Sequence, residues 1–183
     1  IDSMDFENLL FDSSRRTADI AVSAIGDNPE IFKKFLDFAM QDKGRYAMRA
    51  ARVVQLATTN HPELIRPYIK EIIFEFPAFK NDGLRRNFLK ILTEPSLNLD
   101  EDTLGILVNV SFNYLVSPSE KPAMKVYAME ILYNISQFYP DIRSELISTI
   151  EDQLPRSTTA VKSRGKQVLT KLYKQTRNKN TEY

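Results

Sequence analysis

Arginine recurs in this chain where spacing can bring its side chains into line. Arg49-Ala50 is followed by Val53, Val54 and Ala57, and Arg164-Gly165 by Val168, Leu169 and Leu172. In both, apolar residues follow the small residue at steps of three, four and seven, the period of one helix face. A looser copy, Arg16-Thr17 with Ile20, Ala21 and Ala24, lies near the start, and Tyr127-Ala128 with Ile131, Leu132 and Ile135 keeps the pattern without its arginine. Guanidinium forks bind carboxylates and phosphates at two points. If these helices stack with the one that begins near Leu84, Arg16, Arg49, Arg86 and Arg164 occupy or adjoin one ridge on a concave face, with Arg52, Lys90 and Gln167 one turn on. These seven are the candidate partner-binding residues. The competing reading is that they pair with acids of neighbouring turns and lock the stack.

Other chemistry finds little support. His61 is the one histidine and stands just before a helix-opening proline, with no nucleophile elbow around it. There is no cysteine, which removes disulfides, thiolate zinc sites and cysteine nucleophiles together. Asp100, Glu101 and Asp102 lack the spaced oxygens and central glycine of a calcium loop, and acids at a helix start already interact favourably with its dipole. The five glycines form no phosphate-cradling pattern. Phe32, Phe35 and Phe38, and Phe74, Phe76 and Phe79, are spaced as core residues. No catalytic, metal-binding or cofactor-binding residue is assigned, and the chain reads as a non-enzyme.

The elements that must position the arginines are helices, because no period-two alternation is sustained anywhere. Three helix starts share a signature: Asn28-Pro29-Glu30-Ile31, His61-Pro62-Glu63-Leu64 and Tyr139-Pro140-Asp141-Ile142. Proline suits the first helical position, where its missing N–H would have no partner, and an acid beside it favours the positive end of the dipole. Pro29 and Pro62 are 33 residues apart and Pro62 and Pro140 are 78 apart, so halving the longer interval predicts a fourth start near 101, where Asp100-Glu101-Asp102-Thr103-Leu104 stands. Aligning Pro62 with Pro140 also aligns Pro77 with Pro155. A repeat of this length is one helix pair.

The predicted units are therefore 29–60, 62–95, 100–138 and 140–176, within a single domain over 1–183. Residues 1–26 form an amino-terminal cap that includes Met4, Phe6, Leu9, Leu10 and Phe11, and 177–183 form a flexible tail. Val53, Val54, Ala57, Ile69, Ile72, Ile131, Leu132, Ile135, Val168, Leu169 and Leu172 are expected inside. Gly165 aligns with Ala50 and Ala128 and is expected where two helices approach closely.

The chain's 183 residues carry a net charge of +1, which hides a division: residues from Arg156 onward sum to +7 and the remainder to −6. The longest apolar stretch, Leu104 to Val116, is interrupted by Asn109, Ser111 and Asn113 and is too short to span a bilayer. With no signal-peptide pattern at its start, the chain reads as soluble and cytoplasmic, without a membrane partner.

The paired helices, the prolines that open first helices and the arginine with a small residue that opens second helices resemble HEAT and armadillo-type repeats, over roughly residues 13 to 176. The third unit departs in lacking its proline and arginine, and the aspartate that HEAT repeats tend to carry between helices does not recur regularly. The resemblance implies an all-α fold, a right-handed α-α superhelix of about four helix pairs with terminal caps. It also implies a non-catalytic scaffold that binds a peptide or protein along its concave surface, an acidic partner matching the arginines. The alternative is a nucleic-acid-binding relative of the HEAT-like DNA glycosylases, using the basic carboxy-terminal helix. Against it stand the acidic remainder of the chain and the absence of tryptophan.

Overall fold

A computed structural model describes residues 6–179; Met4 of the expected cap and residues 180–183 of the expected tail lie outside the described residues. Among the described residues there is no strand. The chain divides into two compact units, residues 1–91 and 92–183.

The first unit contains α1 (Phe6–Leu9), α2 (Arg15–Ile25), α3 (Pro29–Met40), α4 (Gly44–Asn60), α5 (Ile69–Glu75) and α6 (Asp82–Ile91). Local chemistry sets several of these boundaries. The Ser14 side chain accepts from the Thr17 N–H to start α2, and Asn28 accepts from the N–H groups of Glu30 and Ile31, with Pro29 at the first helical position of α3. Gly26 and Gly44 take positive φ of 52° and 59° at the turns flanking α3. Helix α4 packs against α2, α3 and α6. It can do so because Ala47, Ala50, Ala51, Val53, Val54 and Ala57 are all buried, which places small or short side chains around much of its circumference.

Asp42, in the turn between α3 and α4, also has positive φ, 52°. Its two carboxylate oxygens accept the N–H groups of Lys80 and Asn81 at 2.6 and 3.1 Å, and Asn81 in turn donates its side-chain N–H to the Gly44 carbonyl at 3.1 Å. One turn of the unit is thereby tied to the next. Asn81 also opens α6, accepting from the N–H groups of Gly83 and Leu84.

The second unit contains α7 (Glu101–Val116), α8 (Pro122–Phe138), α9 (Arg143–Gln153) and α10 (Thr159–Lys179). Asp100 caps α7 by accepting from the Thr103 N–H, and Pro122 opens α8. Helix α8 packs against α7 and α10, and α9 against α10 and α7. The core joins Leu115, Met129, Leu132, Leu146, Ile150, Val161, Val168, Leu169 and Leu172.

Several details differ from the expectations. Pro62 and Pro140 open single 3₁₀ turns, and the α-helices behind them start at Ile69 and Arg143. Pro67 accounts for the first delay, since it lacks an N–H and its ring crowds the carbonyl four residues back. Ile135 is only half-buried, because α8 turns that side toward a surface groove rather than the core. Phe74 is 70% exposed and Phe11 72%, and Ile20 and Ala24 are exposed while Ala18, Ala21 and Ile25 are buried, which rotates α2 relative to the expected register.

Gly165 is buried in α10, and a Cβ there would stand 2.7 Å from Leu154 Cδ2 and 3.2 Å from Ile150 Cγ2. The close approach expected from its alignment with Ala50 and Ala128 is present, and both alanines are buried. Gly165→Leu is expected to overpack the contact and lower stability by about 1–3 kcal/mol in urea unfolding. An unchanged midpoint would contradict this packing.

Candidate interaction surface

The arginine series divides according to what each side chain can reach. Arg49 leaves α4 beside the buried Ala50, and its Nη1 donates to the carbonyls of Leu10 and Phe11 at 2.9 and 2.6 Å. The guanidinium also lies 5.9 Å from the centre of the Tyr46 ring. Arg52, three residues on, donates from Nη1 to the Ser13 carbonyl at 2.5 Å. The carbonyls at 10, 11 and 13 lie past the end of α1, where backbone acceptors lack intrahelical donors. Arg49 and Arg52 supply them. In the same segment, hydrogen bonds involving Thr17 and Ser14 hold the Asp12 carboxyl below its ordinary value.

The other first-unit candidates face outward. Arg16 is exposed on α2 beside Arg15, which pairs with Asp19 at 2.8 Å. Arg86 and Lys90 are exposed on α6, four residues apart and so on one face. In the second unit, Arg164 reaches from α10 to Glu130 of α8, with Nη1 to Oε2 at 3.1 Å and both side chains about one-third exposed (38% and 35%). Gln167 is exposed one turn later. The structure thus brings Arg49 and Arg52 together on one chain segment, places Arg86 with Lys90 on one helix face, and engages Arg164 between two helices.

The spacing of apolar residues did not indicate a groove on the second unit. It is lined by Leu92, Pro95, Leu97, Leu99, Leu104, Leu107, Ile131, Ile135, Phe138 and Tyr139, with Glu94 and Asn134 as polar members. Asn134 donates to the Thr93 carbonyl at 2.8 Å and pins the segment that forms one wall. Phe138 at the end of α8 is 71% exposed and Tyr139 46%. The sequence signal was available: Ile131, Leu132 and Ile135 fill one face of α8, so the further apolar Phe138 and Tyr139 exceed what that face buries.

His61 lies 3.2 Å from the Glu63 carboxylate at the end of α4. Among the described residues no three His, Cys, Asp or Glu side chains are grouped to hold a metal ion. No helix among them is long and apolar enough to cross a membrane.

Helix pairs, second helices that meet their neighbours through small residues, and arginines beside those residues are now all placed. A family model described as HEAT repeat domain matches residues 7–172. The chain belongs to the HEAT repeat family. Comparisons with curated proteins and with solved structures each gave no significant match. HEAT repeats generally mediate protein interactions as scaffolds, and the family is typically non-catalytic.

The division of the arginines is open to direct measurement. Arg49→Glu removes the donor to two backbone carbonyls and sets a carboxylate against them, with an expected loss of about 1–3 kcal/mol in urea unfolding. Arg86→Glu, on an exposed face, is expected to move stability by less than about 0.5 kcal/mol. Equal effects of the two substitutions would contradict the assignment of Arg49 to the packing of residues 10–13.

Proposed function

We propose that this chain is a non-catalytic interaction scaffold that holds a peptide or partner protein against its exposed helical faces. The observation that carries the reading is the apolar groove of the second unit with Phe138 standing 71% exposed beside it. A large aromatic at the edge of an apolar groove offers the kind of anchor that dominates protein interfaces, since its burial by a partner removes much apolar area from water. The outward Arg16, Arg86 and Lys90 of the first unit and Gln167 of the second supply polar and cationic contacts, and the cations suit a partner with acidic residues.

The nucleic-acid alternative draws on α10, where Lys166, Lys171 and Lys174 are exposed. Part of that helix's charge is already engaged: Arg164 pairs with Glu130, and the Lys171 ammonium lies 5.0 Å from the centre of the Tyr133 ring. The interaction reading is therefore the stronger one.

The test is quantitative capture from the native lysate with the chain and its Phe138→Ser variant. The variant should melt with the parent, because the side chain it shortens is mostly in solvent, and should lose at least one discrete partner that the parent enriches. Identical captured sets would contradict a role for the groove. Fluorescence anisotropy with DNA and RNA should give weak, sequence-blind binding that collapses as salt rises. Tight binding at near-physiological salt would replace the scaffold reading with the nucleic-acid one.

A further inference from the structure

The two units treat the space between successive turns differently. In the first, the Asp42 carboxylate fills it and accepts the N–H groups of Lys80 and Asn81, just before α6. In the second, the corresponding turns are 117–121, before α8, and 154–158, before α10. The register is fixed by matched hydrogen bonds at the helix starts: Arg85 N–H to the Asn81 carbonyl and Lys162 N–H to the Thr158 carbonyl, each 2.9 Å. Counted back from those helix starts, Ser157 and Thr158 stand where Lys80 and Asn81 stand in the first unit, but the second-unit turn is one residue shorter, and the Ser157 N–H donates to the Leu154 carbonyl as the Phe79 N–H does to that of Phe76. Between these turns is a cavity of about 510 Å³, lined by Val116, Pro118, Pro122, Lys125, Gln153, Arg156, Ser157, Thr158 and Val161. Two of the lining side chains are cations, and none is a carboxylate. Glu120, two residues before α8 as Asp42 is two before α4, is not among them.

The cations in this cavity retain most of their donor capacity. Lys125 donates to the neutral Leu115 carbonyl at 3.2 Å, and Arg156 donates from Nη2 to Asp152 Oδ2 at 2.6 Å across an ion pair that is about two-thirds exposed on both sides. An ammonium has three N–H donors and a guanidinium five, so each has further donors to offer a ligand. An ion pair so exposed contributes little and yields readily to a competing anion. Partial burial lowers the Lys125 pKa and the nearby charge of Arg156 lowers it further, with Glu120 acting the other way.

We propose that this cavity is a phosphate site, in which Lys125 and Arg156 bind a phosphate monoester group in the place that the Asp42 carboxylate occupies in the first unit. The charge of about −2 on such a group matches the two cations better than a single carboxylate does. Of the Ser157–Thr158 turn, the Thr158 groups face this space as further polar lining, because the Ser157 N–H already donates to the Leu154 carbonyl at 3.1 Å and its hydroxyl to the Gln153 carbonyl at 2.7 Å. The phosphate could be free or carried on a phosphorylated side chain of a partner, and only the second source rests on the scaffold reading.

The test titrates inorganic phosphate into the full chain at constant ionic strength and follows backbone amide shifts. Saturable shifts are expected at Ser157 to Lys162 and near Lys125. Arg156→Gln and Lys125→Met should each weaken binding about tenfold or more, the loss of a charge-assisted hydrogen bond. Lys166→Gln, on the exposed face of α10, should leave it unchanged, and Arg156→Gln alters a side chain exposed enough to keep the fold. No saturable shift up to tens of millimolar phosphate, or equal weakening by Lys166→Gln, would overturn the proposal. A phosphoserine peptide that binds more tightly than inorganic phosphate and than its unphosphorylated form assigns the source to a partner. Weaker or equal binding assigns it to free phosphate. Phosphate binding can fail while partner capture persists, so the site and the scaffold reading fall separately.

Discussion

Close approach of helices through small side chains is the constraint on which each unit depends. In the first unit, Ala47, Ala50, Ala51 and Ala57 of α4 are almost fully buried, and three neighbouring helices pack against the helix that carries them. In the second, Ala128 of α8 is fully buried, and a methyl group on Gly165 of α10 would press on the Leu154 side chain. A larger side chain at such a position would hold the neighbours apart, and the phenylalanine and leucine residues around it would lose the contacts that make the core dense. This geometry also explains the arginines. One residue away from the contact point, a side chain leaves the helix at the edge of the interface, so a long cation there reaches the next element. Arg49 meets the carbonyls of Leu10 and Phe11, and Arg164 meets Glu130.

The turns are the second level of organisation. Where Asp42 carries a carboxylate into the space between turns, the first unit supplies its own anion to the N–H groups of the next turn. The second unit has a longer turn before α8, with Pro118, Pro122, Lys125 and Arg156 in the cavity wall. The same architecture thus closes one inter-turn space and leaves the other open. Repeats that share a helical framework differ most in these turns, where a changed residue need not disturb the core.

Local chemistry made much of the framework legible in the sequence. Asn28 with Pro29, and Asp100 with Thr103, mark helix starts through interactions within four residues. The small residues 50, 128 and 165 share one register with the apolar positions that follow, so periodicity alone placed them at helix contacts. Periodicity is blind to what lies on the far side of a contact. It could not show that Arg49 and Arg52 meet carbonyls 38 or 39 residues earlier, nor that Lys125 and Arg156 line one cavity from different helix pairs. It also overstated burial where an apolar face is wider than its neighbours cover, as at Phe74 and Ile135. The delayed start of α5 has a local cause, Pro67, which the stronger signal of Pro62 obscured.

Native-state hydrogen exchange of the intact chain tests most directly whether packing around α4 carries the first unit. The account predicts that amides in the middle of α4, from Ala50 to Ala57, are the slowest to exchange in that unit and open only with its global unfolding, because every helix packed on α4 must separate first. The shorter, more peripheral α2 should exchange through smaller openings. Amides of α4 that exchange faster than those of α2 would contradict it.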